Sequence, residues 1–309
     1  MSISIIKKGL SDSIQDKGRY GYQHIGIQPN GCLDFISAWM GNKMLQNNMH
    51  HPVIELHFPS SQIQFEADHT ICITGANFVP VINEKSVELY QPIQVKKNDI
   101  LSMLQPLEGK ICYIALKADF MDKTWLNSHS YNGDRFEKEQ VIALNPISFN
   151  NWANSTTSNS FNTSPTENFN QLVLKNKAPI KFIPGPAWKH LKPEAIVALL
   201  NQSFSVSAQA NRMGCNLQGP KLELQVPNAF LSSAVTRGTL QLLPNGSIIV
   251  LMADHQTIGG YPNIGQIILV DLPRLAQTVA NSKIHFCISN VQKAHEQYKS
   301  IQEKFADRS

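Results

Sequence analysis

The amino-acid sequence predicts a mainly β protein with a few helices, arranged as two domains. Three observations carry this. Residues 53–116 are a succession of short apolar runs separated by turn signals, residues 238–262 open as a β-hairpin, and a polar tract at 145–178 divides two strand-rich halves. Many short strands at regular spacing point to a barrel or sandwich, not to strands alternating with helices around a parallel sheet. With 309 residues, the chain is long enough for two cores of ordinary size. The expected division is 1–144, a linker or surface excursion at 145–178, and 179–309.

Hydrophobic residues make up 42% and charged residues 16% of the chain, with a net charge of +4. The basic residues are scattered, and Lys7-Lys8 and Lys96-Lys97 are isolated pairs, so solvated faces are expected and a nucleic-acid surface is not. The N-terminus lacks a long apolar core after a basic start, and no run approaches the ~18 apolar residues of a membrane span. Five widely spaced cysteines without a C-x-x-C pair suggest reduced thiols and a cytoplasmic protein. Cys72, Cys112 and Cys287 fall in apolar strands, as core filler.

Taken in order, residues 2–6 read as a strand. Residues 13–34 carry Gly18, Gly21, Gly26, Pro29 and Gly31, which forbid regular structure and predict an ordered loop with Gln15, Asp16, Arg19 and His24 as its polar groups. Asp34 suits the N-cap of a helix over 35–45. Strands are expected at 53–58, 62–66, 70–74, 79–82, 93–95, 100–104 and 111–116. Glu55 is a carboxylate inside an apolar strand and so needs a fixed partner. His50, His51, Glu55 and His57 match no standard zinc spacing, and no metal site is expected.

Asn, Ser and Thr supply more than half of residues 145–178, too polar a stretch to bury much. A second domain opens at 180–186, followed by a short helix at 193–200 with Ile196, Leu199 and Leu200 on one side. The densest stretch is GTLQLLPNGSIIVLMADHQTIGGYP, residues 238–262. Strands 240–243 and 248–252 flank Pro244-Asn245-Gly246, where Asn-Gly suits a tight turn. The second strand stops at Asp254, His255, Gln256 and Thr257, directly before Gly259-Gly260-Tyr261-Pro262. Polar side chains at a strand end, beside glycines that permit close approach, suit a site on a rigid scaffold. A turn whose Asp and Thr satisfy backbone groups is the alternative reading. Further on, 264–270 and 284–288 read as strands, and Asp271 as the cap of a short helix. A C-terminal helix from Val291 places Ala294, Tyr298, Ile301 and Phe305 on one stripe, expected to dock on its own domain.

The wording of two stretches resembles the family that holds the C subunit of 5-oxoprolinase, KipA and allophanate hydrolase subunit 2, also called the biotin-dependent carboxyltransferase family. One match runs through Ile14, Gln15, Asp16, Gly18, Arg19, Gly21, Tyr22, Gly26, Ile27, Gly31, Leu33 and Asp34. The other runs through Gly238, Thr239, Gln241, Pro244, Gly246, Leu251, Asp254, Gln256, Thr257, Gly259, Gly260, Tyr261 and Pro262. The chain departs from the family's wording at His255 (usually Arg), Ile248 (usually Pro), Asn211 (usually Asp) and Asn216 (usually Arg). Asn127-Ser128-His129-Ser130-Tyr131 stands where G-S-R-S-T is usual.

The resemblance implies two cyclophilin-like β-barrel domains and one component of an enzyme of 5-oxoprolinase type. Such a component works with a KipI-like B subunit and a LamB/YcsF-like A subunit in ATP-dependent opening of 5-oxoproline, a small-molecule amide. ATP would be used by the complex, since this chain has no Walker loop, and biotin attachment is not expected without a Met-Lys-Met site. Asp254, Gln256, Thr257 and Tyr261 would be the catalytic groups, with Asp254 an acid–base or cation-orienting carboxylate. Asp16, Arg19, Arg212, Gly259 and Gly260 would bind substrate or anion. A KipA-like regulatory protein without catalysis and a carboxyltransferase acting on a urea-like amide are the alternatives. The departures at His129, Asn211 and Asn216 lean toward the regulatory one.

Overall fold

Strand Ser2–Lys7 buries every second side chain, Ile3 and Ile5 being fully enclosed, and Gln62–Phe65 does the same through Ile63 and Phe65. This period-2 alternation is that of a sheet with one face on a core. A computed structural model describes residues 1–130, 135–147, 173–225 and 230–305. Most of the tract expected as a linker at 145–178 lies outside them. The protein divides into two compact units, one of Met1–Lys17 with Ile36–Lys175, the other of Gly18–Phe35 with Asn176–Ser309.

The first unit has a seven-stranded sheet in the order Ala118–Phe120, Val141–Pro146, Ser2–Lys7, Gln62–Phe65, Ile100–Met103, Pro80–Ile82, Lys85–Ser86. Its five-stranded sheet runs Ser13–Gln15, Val53–His57, Glu108–Leu116, His69–Asn77, Pro92–Val95. Ile3, Ile5 and Ile63 from one sheet share a core with Ile54, Ile73 and Ile114 from the other. All seven strands expected between residues 53 and 116 are present, with shifted ends. Strands Ala118–Phe120 and Val141–Pro146 were not legible, because Ala, Asp, Asn and Pro weaken the β signal in both.

In the second unit the eight-stranded sheet is ordered Lys283–Ile284, Phe204–Val206, Gly214–Gln218, Ile248–Leu251, Thr239–Leu242, Asn263–Ile267, Ile180–Pro184, Phe286–Ile288. The two end strands are separated in the chain by His285 alone, so the edges of the sheet meet and the sheet nearly closes into a barrel. The barrel-forming, mainly β class read from the sequence is the observed one. The expected hairpin is there, with Leu240 opposite Val250 and Leu242 opposite Ile248. In its turn Gly246 alone takes a positive φ, +83°.

Four α-helices are formed among the described residues: Phe35–Met44, Pro193–Asn201, Leu272–Gln277 and Val291–Phe305. The C-terminal helix turns Phe305 inward and sets Tyr298 edge-on to Phe35, 6.5 Å between ring centroids. Asp271 does not cap the helix Leu272–Gln277 with its side chain. It accepts the backbone N–H of Lys181 at 2.7 Å and pairs with Arg274 at 3.2 Å. The free thiols Cys72 and Cys112 are fully buried, and burial pushes the Cys72 thiol up to about 12.

Candidate functional site

Three buried or half-buried arginines of the second unit each donate to a backbone carbonyl of its loop Gly18–Phe35. Arg19 Nη1 reaches Gln28 O at 3.4 Å, Arg212 Nη2 reaches Gly31 O at 2.9 Å, and Arg237 Nη2 binds Leu33 O. The loop needs its glycines locally. Gly18 has φ +82°, and a Cβ there would lie 2.4 Å from Pro29 O, whose carbonyl takes the Arg19 N–H. Asn30 and Gly31 follow with φ of 55° and 95°, a left-handed pair that turns the Asn30 amide inward.

That amide joins the two halves of the signature. Asn30 Oδ1 accepts Arg19 Nη1, while Asn30 Nδ2 donates to Asp254 Oδ1 at 2.6 Å. Asp254 is held on its other side by Arg212, Nε to Oδ2 and Nη2 to Oδ1, both at 2.8 Å. The pair is locked further by the backbone, since Asp254 N donates to Arg212 O at 2.8 Å, and Gln28 Nε2 reaches Asp254 O at 3.1 Å. A two-pronged Arg–carboxylate pair with side chains only 12% and 15% exposed is strong and directional. Both Asp254 oxygens are engaged, so the geometry suits orienting a cation, Arg212, better than abstracting a proton.

The next residues turn the chain away from this network. His255 is fully buried, its Nδ1 against the carbonyl oxygen of Gln256, and burial holds the ring below the usual imidazole range. Thr257 is buried and accepts Val235 N–H through its carbonyl at 3.1 Å. Ile258–Gly259 then pairs with Ser233–Ala234 as a two-stranded ribbon, and Tyr261 is largely exposed. Neither Gly259 nor Gly260 has a left-handed φ. Close approach, the expected role, holds for Gly259, where a Cβ would lie 2.5 Å from Gln241 Nε2; at Gly260 the nearest atom is 3.4 Å away.

Of the residues singled out in the sequence, the structure thus brings together Arg19, Arg212 and Asp254. Gln256, Thr257 and Tyr261 lie on the segment that follows, without side-chain hydrogen bonds to that network among the described residues. Asp16 belongs to the first unit. Its carboxylate accepts Ser128 Oγ and Ser130 Oγ, each at 2.7 Å, and His129 N–H at 2.8 Å. A carboxylate so used holds a loop and does not bind an anion. Glu55, also in the first unit, has the fixed partners its burial requires: Tyr113 Oη at 2.7 Å and His57 Nε2 at 3.2 Å. No group of three or more metal-ligating side chains is assembled among the described residues.

Sequence reasoning missed Gln28, Asn30 and Arg237. A signal for Asn30 existed, because an Asn between Pro29 and Gly31 favours the left-handed turn that aims its side chain. Nothing local marks Arg237, whose role depends on a loop two hundred residues away in the chain.

Residues 25–288 match the model of the carboxyltransferase domain, subdomain A and B, and the chain belongs to that family. It is 30% identical to the C subunit of 5-oxoprolinase from Haemophilus influenzae, covering 94% of this chain and 93% of that protein. The C subunit of the Escherichia coli 5-oxoprolinase is 28% identical over the same shares. Urea amidolyase of Saccharomyces cerevisiae is 27% identical over 71% of this chain, but that covers only 12% of the yeast protein. Among solved structures, the Kluyveromyces lactis urea carboxylase superposes with a TM-score of 0.85 at 21% identity, over 99% of this chain and 29% of that one. The K. lactis urea amidolyase gives 0.84 at 22%, over 99% and 20%. These two likenesses carry the fold.

Proposed function

We propose that the chain is the C subunit of an ATP-dependent 5-oxoprolinase, opening 5-oxo-L-proline to L-glutamate. It acts with a KipI-like B subunit and a LamB/YcsF-like A subunit. The observation that supports this over a urea-directed role is coverage. The likeness to the 5-oxoprolinase C subunits runs through nearly the whole of both proteins, whereas the urea amidolyases are matched over a small part of their length.

In this reading the Arg19–Asn30–Asp254–Arg212 network holds the substrate region. Asp254 fixes the Arg212 guanidinium, and the clustered arginines favour negative charge developing on an amide oxygen. Gln256, Thr257 and Tyr261 supply polar groups at its border, beside Gly259 and Gly260. ATP is consumed by the assembled complex, and biotin is not attached to this chain. The reaction needs a charged, water-excluded pocket, which loops of one barrel close more readily against a second protein.

The test is co-expression with the KipI-like protein. A stable complex is expected, and adding the LamB/YcsF-like protein should give 5-oxoproline-dependent ATP hydrolysis. A stable complex without turnover would favour the regulatory, KipA-like reading. One observation points that way: Asn211, where the family usually has Asp, spends its Oδ1 on the N–H groups of Met213 and Gly214 at 2.8 and 3.3 Å. Turnover by the isolated chain would sink the proposal.

A further inference from the structure

Between residues 237 and 255 of the second unit, three buried polar atoms have no hydrogen-bond partner among the described residues: Arg237 Nε, Gln241 Oε1 and His255 Nε2. Gln241 is 1% exposed and His255 fully buried. Buried polar atoms are ordinarily paired, with protein, water or ligand, so each of these three lacks a partner that a water or a ligand would supply.

The chemistry of that partner follows from which atoms donate. The carbonyl oxygen of Gln256 can only accept, so His255 Nδ1 carries the hydrogen, and Nε2 of the uncharged ring presents a lone pair. Gln241 directs its Nε2 toward Tyr261 O at 3.5 Å, leaving its Oε1 as a second acceptor. Arg237 Nε–H can only donate, and the Arg237 charge lies within electrostatic reach of His255. The set is one donor and two acceptors. A carboxylate or phosphate would bring only lone pairs to His255 and Gln241. A neutral amide brings a C=O for Arg237 and an N–H for an acceptor.

Access has a candidate as well. Gly259, packed against the Gln241 side chain, belongs to the two-stranded ribbon Ser233–Ala234 with Ile258–Gly259. Two residue pairs are too few for a ribbon to hold itself closed, so it opens at small cost.

We propose that Arg237, Gln241 and His255 form an enclosed subsite for the neutral amide group of a small ligand, covered by the Ser233–Ala234/Ile258–Gly259 ribbon. This rests on the amide-substrate reading above but names different residues. It also makes His255 a specificity residue, set against anions in an otherwise arginine-rich region.

The test uses the full chain alone, with pyrrolidin-2-one as the neutral amide probe and acetate as the anionic control. The ring nitrogens of His255 are followed by long-range proton–nitrogen NMR at pH 7.5. A saturable shift of Nε2 with the lactam and none with acetate is expected. Gln241→Leu should weaken lactam binding about tenfold, the worth of one buried hydrogen bond. Arg237→Lys, which keeps the charge but moves the donor, should weaken it similarly. An Nε2 resonance that the lactam does not move means an interior water only, and overturns the subsite; so does an equal response to acetate. Lactam binding without turnover in the assembled complex would instead remove the 5-oxoprolinase reading and leave the subsite standing.

Discussion

At the scale of single residues, the Asp254–Arg212 pair carries both fold and site. Removing the carboxylate charge leaves a mostly buried guanidinium without its counter-ion, which is costly even when shape is kept. Asp254→Asn should therefore lower stability by about 2 kcal/mol, allowing for the residual solvent contact of both side chains. Urea unfolding measures it, and an unchanged midpoint would assign Asp254 to the site alone. His255 gives a second prediction. Burial depresses its pKa in the folded state, whereas the unfolded chain binds a proton near pH 6.5. Stability is then fully present above that pH and falls below it, by up to ~1.4 kcal/mol per pH unit until the buried ring also protonates. Burial acts in the same direction at His50, His69 and His129, and in the opposite direction at Asp12, whose raised carboxyl pKa gains stability as pH falls. Melting temperature between pH 7.5 and 5.5 should fall less steeply for His255→Gln than for the parent chain; parallel curves would contradict the assignment. Arg19, Arg212 and Asp254 were legible because charge in glycine-rich wording is conspicuous. The turn at Asn30 was legible in its neighbours Pro29 and Gly31, but what its neutral amide holds was not, because that depends on what faces it.

Elements were legible where period and punctuation agreed. The hairpin at residues 239–251 has both, two short apolar strands and an Asn-Gly turn, and it forms where expected. Strand Val141–Pro146 has the alternation, with Ile142 and Leu144 inward, but its Asn-Pro ending reads as loop. The glycine pair was legible as a feature, and the close approach read from it applies to Gly259 and not to Gly260. Its two members should separate cleanly on substitution. Gly259→Ala must displace the Gln241 side chain, whereas Gly260→Ala meets only an ordinary contact with Ser232 Oγ at 3.4 Å. We expect Gly260→Ala to leave the melting temperature within a degree or so, and Gly259→Ala to cost roughly 1–2 kcal/mol through overpacking. Equal effects would mean that the ribbon does not press on Gln241.

At the scale of the whole molecule, the second unit is not a contiguous stretch of chain. Gly18–Phe35 belongs to it, and the Gly31 carbonyl, Asn30 and Asp34 supply partners for Arg212, Asp254 and Gln277 from there. A fragment of residues 176–309 would keep the barrel strands but lose those partners. It should unfold at a markedly lower temperature than the intact chain and expose apolar surface to a hydrophobic dye. A fragment as stable as the parent would show the loop to be dispensable. No sequence pattern announces such an exchange, since the linker composition at 145–178 suggests a simple cut. The arrangement also sets a timetable for synthesis. Residues 18–35 leave the ribosome early, yet their arginine partners are made roughly two hundred residues later, on the order of 10–40 s at ordinary elongation rates. Through that interval the nascent chain carries a glycine-rich segment with nothing to fold onto. A nearly finished chain cut short before Asp254 would lack the acceptor for Asn30, and so could be told from the finished product by its protease-sensitive N-terminal loop.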